Sequence, residues 1–514
     1  MNGVVGLKNT ETKLLIGFGL LGVLLPFLEP LTLLLLGDDL GGAFWPMAIR
    51  TLEFTMLLRE NRSILFAIIL LSTVTGLYTG RSENKFTTVL SCFILGLTIG
   101  LFAIFVLLDM AYIRGAFLLL PTVYGFIILI CSIKIFGRPR NIFTGTRSKV
   151  SGLLNYSLVL FAVFLITPGL EAISGLAPQP PELVLTEEKF SIETEVHQYP
   201  MPDEVEDIRG DIEGDIDFSI YLIRPEKSQN EESPLAILLH GFANPGYSSY
   251  TDWAETLAKR GVTVAYIQYP SDVWPEGHDT YTLHEQDGMS NHPFHVPRIK
   301  AITSALIHLE SLIDNRVNTD FLLVGGHSLG AGYSLIALDW ALQKGWGSDS
   351  LVVDLEAPYA RPVQSHLQVN LSSIPENFIG HVVVSEDDMS VSDCFGVHHQ
   401  SLLGEKSLLL EIPSDRYGYP RLVASHYLQA TETHDTLADW GFYKRVAYQA
   451  EWLNARMYND VVSEYLAKEK LSNNDDAKYM GKWSDGMKVK EIKIYEDAIN
   501  TDTFDYCKTW TGPD

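Results

Sequence analysis

The apolar positions of this chain fall into two regimes. Five long runs, at about 14–36, 63–79, 88–108, 115–136 and 152–172, carry almost no charge, and beyond residue 180 short β-rich runs alternate with helical stretches. A helix needs about 20 apolar residues to cross a bilayer core, which each run approaches, the second only at the short limit. They predict an α-helical membrane bundle of five spans over residues 1–172. A further stretch, 43–58, carries Arg50 and Glu53 and reads as an interfacial or re-entrant helix. Within the first run Pro26, Glu29 and Pro30 predict a kink or break. Its length, without a small-residue cleavage site, argues against a signal peptide.

Short loops that hold Lys and Arg stay on the cytoplasmic side. The densest cluster, Arg138, Arg140, Arg147 and Lys149, lies between the fourth and fifth runs, so alternation places everything after residue 172 outside the cytoplasm; Arg50, Arg59 and Arg62 oppose that assignment. The expectation is an integral, multi-pass membrane protein with an extracytoplasmic domain. Residues 173–195, with Pro178, Pro180 and Pro181, read as a linker. Residues 196–457 alternate strand candidates (217–223, 235–239, 262–268, 320–325, 350–354, 380–385, 421–428) with helix candidates (251–260, 297–314, 329–343, 437–456). That alternation predicts an α/β domain with a mostly parallel, doubly wound sheet. Residues 458–514, charged and weakly periodic, read as a C-terminal extension packed on that domain.

Composition narrows the partners. The chain has 514 residues and a formal net charge of −25, most of it from the region after about residue 180. Phosphate recognition needs clustered cations, so a nucleic-acid partner is excluded. Of four cysteines, Cys92 and Cys131 lie in apolar runs and read as small core residues, while Cys394 and Cys507 are left open as a disulfide or two separate thiols. No Cys-x-x-Cys or regular His spacing calls for a metal, and no cofactor is expected.

The chemistry centres on Phe321-Leu-Leu-Val-Gly-Gly-His-Ser-Leu-Gly-Ala-Gly-Tyr-Ser-Leu-Ile, an apolar strand, a glycine-rich turn and an apolar-periodic helix. Gly-x-Ser-x-Gly alone is a weak signal; between a strand and a helix it is the context of a strained nucleophile turn, with Ser328 as nucleophile. Gly326 and Gly330 leave room where a side chain would strike the neighbouring strand and helix. The segment resembles the nucleophile elbow of the α/β-hydrolase superfamily, a likeness that runs from about 215 to 455. Pro234-Leu-Ala-Ile-Leu-Leu-His240-Gly241-Phe242 resembles that family's third core strand entering its oxyanion loop. The resemblance implies that the backbone amides of Leu329 and Phe242 stabilise a tetrahedral oxyanion, with His240 bracing the loop.

A serine hydroxyl needs a base, and the base a carboxylate, in the chain order Ser, acid, His for this family. Phe378-Ile-Gly-His-Val-Val-Val-Ser-Glu-Asp-Asp388 reads as a strand entering an acidic turn and makes Asp388 the expected acid, with Asp387, Asp393, Asp354 and Glu356 as alternatives. With 421–428 taken as the last strand, His434 in the following loop is the expected base. His426 then reads as a packed strand residue, and His398 and His399 as loop surface. The loop 270–297, rich in aromatics and histidines, reads as a substrate pocket or lid, or as an ordinary packed loop.

Together these readings predict a membrane-anchored serine hydrolase of the carboxylesterase or lipase type. It would cleave a small-molecule or lipid ester, a thioester or an amide through an acyl-enzyme. An acyltransferase with the same triad and a non-catalytic hydrolase-fold ectodomain are the alternatives. Few intramembrane charges, chiefly Glu29 and Lys134, argue against a transporter.

Overall fold

The computed structural model describes residues 9–37, 43–44, 47, 85–111, 178–183, 185, 188–202, 205, 219–228, 231–242, 246–271, 295–359, 370–388, 390–415, 417–418, 422–429 and 435–510. The chain divides into two units, Met1–Gln179 with Tyr417–Arg421, and Pro180–Arg416 with Leu422–Asp514.

In the first unit, α1 (Asn9–Leu24) and α2 (Leu28–Leu36) are joined by a 3₁₀ turn, Leu25–Phe27, that holds Pro26. The expected break is therefore present, because proline supplies no amide to the helical ladder. Among the described residues one stretch, Lys13–Leu36, is long and apolar enough to cross a membrane, and Cys92–Ile104 is a shorter apolar one. Such a stretch near the N-terminus fits a membrane span or a signal sequence. The five-span bundle and multi-pass topology are not supported. The runs 63–79, 115–136 and 152–172 lie outside the described residues, as does all of the 43–58 candidate but Ala43, Phe44 and Met47. The run 88–108 lies within α3 (Lys85–Ala111). Backbone meets backbone where α3 crosses α1: a side chain at Gly96 would strike Gly19, and one at Gly100 would strike Val23. Close approach through small residues is how helices associate when no hydrophobic effect drives them together.

The second unit is built on nine strands: β1 (Ile192–Gln198), β2 (Ser219–Pro225), β3 (Ser233–Leu239), β4 (Thr263–Ile267), β5 (Val317–His327), β6 (Ser350–Glu356), β7 (Asn377–Ser385), β8 (Ser407–Ile412) and β9 (Lys493–Tyr495). Their order across the sheet is β1-β2-β4-β3-β5-β6-β7-β8-β9. Strands β4 through β8 pair in parallel, with antiparallel β1, β2 and β9 at the margins. This is the mostly parallel α/β sheet that the alternating pattern predicts. Every residue of β3, β4 and β6 is buried, as expected of strands covered on both faces. Alternation divides them between two cores: Leu235, Ile237, Leu239, Leu322 and Val324 face one side, Ala236, Leu238, Leu323 and Val352 the other. Helix α4 (Thr251–Ala258) joins the second core through Trp253 and Leu257, and α5 (His295–Leu312) joins the first through Ala301, Ile302 and Ala305.

Three boundaries differ from the sequence reading. β1 begins inside the segment read as linker. The C-terminal extension contributes β9 to the sheet and, through Cys507, a disulfide to Cys394, which settles the open pairing. The described part of 421–428 forms no strand: apart from a single bridge from Leu422 to Asp415 it is a loop and a turn, and the last parallel strand among the described residues is β8. Apolar Leu422, Val423, Ala424 and Leu428 are buried there by packing, which needs no ladder.

Candidate active site

Ligand and active sites of open α/β sheets gather at the carboxyl ends of the parallel strands. Here β5 delivers Ser328, β3 delivers His240-Gly241-Phe242, β7 delivers Asp388, and the loop beyond β8 delivers His426.

Ser328 lies between β5 and α6 (Leu329–Gln343) with φ 54° and ψ −121°, a positive-φ conformation that costs a non-glycine residue energy. Three backbone bonds hold it there. Its N–H donates to Glu356 O at 2.8 Å, and its C=O accepts from Tyr359 N at 2.9 Å and Gly332 N at 3.2 Å. The turn closes only because its glycines lack side chains: a Cβ on Gly326 would stand 2.6 Å from Gly330 and Ser334 Oγ, and one on Gly330 would strike the carbonyls of Leu239 and His240. α6 is apolar on nearly every face and buried, which fixes its N-terminus beneath the serine.

His426 stands between Ser328 and Asp388. Its Nε2 lies 3.0 Å from Ser328 Oγ and its Nδ1 lies 2.7 Å from Asp388 Oδ2. A carboxylate only accepts, so Nδ1 carries the proton and Nε2 presents its lone pair to the serine O–H. Asp388 Oδ1 accepts from the amides of Ser390 at 2.8 Å and Val391 at 3.0 Å, so the acid is held at both oxygens. All three side chains are shielded from solvent: those of His426 and Asp388 are 8% and 7% exposed, and Ser328 is 7% exposed.

The structure thus brings together Ser328 and Asp388 but joins them through His426. His434, the expected base, lies outside the described residues. The shift follows from the last strand: with β8 at 407–412, the loop after it reaches the serine at 426. Reading Leu408-Leu-Leu as a strand, closed by Pro413, would have found it.

The other acidic candidates are engaged elsewhere. Asp387 accepts from Ser414 Oγ, Asp393 accepts from Tyr506 Oη at 2.7 Å, and Asp354 and Glu356 bind the Arg445 guanidinium. His398 and His399 belong to α7 (Asp393–Leu403), not to a loop, and His399 is fully buried. Most of the 270–297 loop lies outside the described residues.

On the oxyanion side, Leu329 N–H opens α6, where no intrahelical acceptor exists. Gly241 sits against Ser328, its missing Cβ 3.3 Å from Ser328 Cβ. His240 braces this loop, as read from sequence: Nδ1–H donates to Gly241 O at 2.7 Å, Nε2 accepts from Tyr269 N at 3.0 Å, and the ring stacks on Tyr269. Burial lowers its pKa to about 4, and the bonds to Gly241 and Tyr269 only partly oppose this, so the ring stays neutral at neutral pH. Among the described residues no group of three or more His, Cys, Asp or Glu side chains is arranged to hold a metal.

Two solved structures resemble the chain over about half its length. A thermostable esterase from Pseudomonas putida is 12% identical, with a TM-score of 0.32, over 50% of this chain and 81% of its own. A tryptophan-to-histidine variant of the esterase rPPE is 12% identical, with a TM-score of 0.33, over 52% of this chain and 83% of its own. No protein-family model matches the sequence, and no curated protein does.

Proposed function

We propose that this protein is a serine hydrolase that cleaves a carboxylic ester through an acyl-enzyme on Ser328. The observation that carries the reading is the hydrogen-bonded line from Asp388 through His426 to a serine in strained backbone at the head of a helix. In the first half-reaction His426 Nε2 takes the Ser328 proton as Oγ attacks the carbonyl carbon. Asp388 stabilises the imidazolium, and the amides of Leu329 and Phe242 receive the oxyanion. His426 then returns the proton to the departing alcohol. Water repeats the sequence in reverse, releasing the acid and restoring Ser328.

The domain is proposed to work outside the cytoplasm on a small-molecule or lipid ester. The Cys394–Cys507 bond supports an oxidising compartment, and the apolar Lys13–Leu36 helix supports membrane attachment.

The test is fluorophosphonate labelling together with hydrolysis of p-nitrophenyl esters of graded chain length. Ser328→Ala should abolish labelling, and His426→Ala and Asp388→Asn should each lower kcat by roughly 10⁴-fold. His434→Ala should retain activity. Wild-type turnover by Ser328→Ala or His426→Ala would end the proposal.

A further inference from the structure

Between the oxyanion loop and the base loop lies a pair of side chains that the mechanism above does not use. His327, the residue between glycine and serine in the motif, places Nε2 2.8 Å from the carbonyl oxygen of His426 and Nδ1 3.0 Å from Tyr250 Oη. Tyr250 Oη in turn lies 2.9 Å from the amide of Gly241. Both side chains are buried.

The direction of every bond in this chain is fixed by chemistry. A carbonyl oxygen only accepts, so His327 Nε2 carries the proton. A neutral imidazole then has only a lone pair at Nδ1, so Tyr250 must donate its single O–H there. The phenol oxygen is left to accept from Gly241 N–H. The result is one unbroken sequence, Gly241 N–H to Tyr250 O–H to His327, and His327 N–H to His426 C=O. A protonated His327 would reverse the Tyr250 contact and leave the phenol proton facing the Gly241 amide. Burial, foremost, and the neighbouring His426 and His240 rings hold the His327 ring well below the usual imidazole range.

We infer that His327 and Tyr250 are positioning residues that set the base loop and the oxyanion loop against the nucleophile as one unit. The inference rests on the serine-hydrolase reading above. Asp388 fixes the His426 ring from one side, and His327 fixes its backbone from the other. The bond to Tyr250 also commits the Gly241 amide, which removes that residue from the oxyanion role and assigns the role to Phe242. A buried network of this kind works only when every member is satisfied. Misplacing a reacting group by about 1 Å costs on the order of 100-fold in rate.

The experiment uses the full-length chain, a short p-nitrophenyl ester and a fluorophosphonate probe, with Ser328→Ala alongside. His327→Leu and Tyr250→Phe should lower kcat by about 10- to 100-fold, with KM within about twofold of wild type. Fluorophosphonate labelling should slow by the same factor as kcat. His327→Gln should recover most of the rate, because its amide can donate to His426 and accept from Tyr250 as the ring does. Wild-type kcat in His327→Leu, or equal losses in His327→Gln and His327→Leu, would overturn the positioning role. Activity surviving in Ser328→Ala would instead sink the hydrolase reading, so the two failures are distinguishable.

Discussion

Arg445 brings one positive charge to two buried carboxylates. It bonds Glu356, approaches Asp354 Oδ1 at 3.4 Å and donates to Gly441 O at 2.7 Å. Burial pushes the Glu356 carboxyl well above the usual carboxylate range; the Arg445 charge opposes that shift and the Asp354 charge adds to it. Arg445→Met would strip the cation from both acids, and removing one partner of a buried pair costs roughly 3–5 kcal/mol. Urea unfolding should show that loss, and an unchanged midpoint would contradict it. Each of these acids follows Ser328 and precedes His426 in the chain, which makes Asp354 and Glu356 candidates beside Asp388. Only the fold shows that the turn after β7 reaches the histidine while the end of β6 faces Arg445. The strained turn at Ser328 is legible because it is defined within five consecutive residues. The histidine that meets it, His426, depends on a segment whose reach is a long-range property.

The elements show the same division. Strands that cross the middle of the sheet carry short apolar runs, such as Leu322-Leu-Val in β5 and Leu351-Val-Val in β6, so they can be read locally. The stretch 422–428 imitates a strand in its apolar content, but it and Asp415, which Leu422 bridges, are held by distant partners. Asp415 Oδ2 accepts from Trp483 Nε1 at 3.2 Å and Lys490 N at 3.0 Å, both in the C-terminal extension. Asp387 N donates to Ala424 O at 2.9 Å, tying the acid turn to the base loop. The extension also reaches the acid side, since Cys507 is bonded to Cys394 near the start of α7, shortly beyond Asp388 in the chain. A cross-link spanning 113 residues removes much freedom from the unfolded chain; chain-entropy arguments give about 4–5 kcal/mol for such a loop. Cys507→Ser should therefore lower the thermal midpoint, and reductant should bring wild type down to the same value. If the variant melts with wild type, the bond does not stabilise the domain.

At the scale of the whole molecule, acidity should act through rings that the fold keeps neutral. Burial, the largest cause in each case, lowers the pKa of His240, His381 and His399 to about 4, whereas an unfolded imidazole titrates near ~6.5. The unfolded chain therefore binds protons that the folded chain refuses. This contribution is whole above pH ~6.5, shrinks as pH falls, and is exhausted below about pH 4, where the folded rings protonate too. At ~1.4 kcal/mol per pKa unit it amounts to roughly 3 kcal/mol for each ring. Thermal midpoints at constant ionic strength should fall from pH 7 to pH 5, and a flat profile would contradict these assignments. The closing of the sheet also carries a consequence in time. Synthesis delivers Cys394 while 113 residues are still to be added before its partner is complete. During that interval the helix behind the acid turn has a free thiol, and Asp415 waits for Trp483 and Lys490. A nascent chain can thus carry Ser328, Asp388 and His426 before it carries what braces them, so the site is finished only after Cys507 has been made.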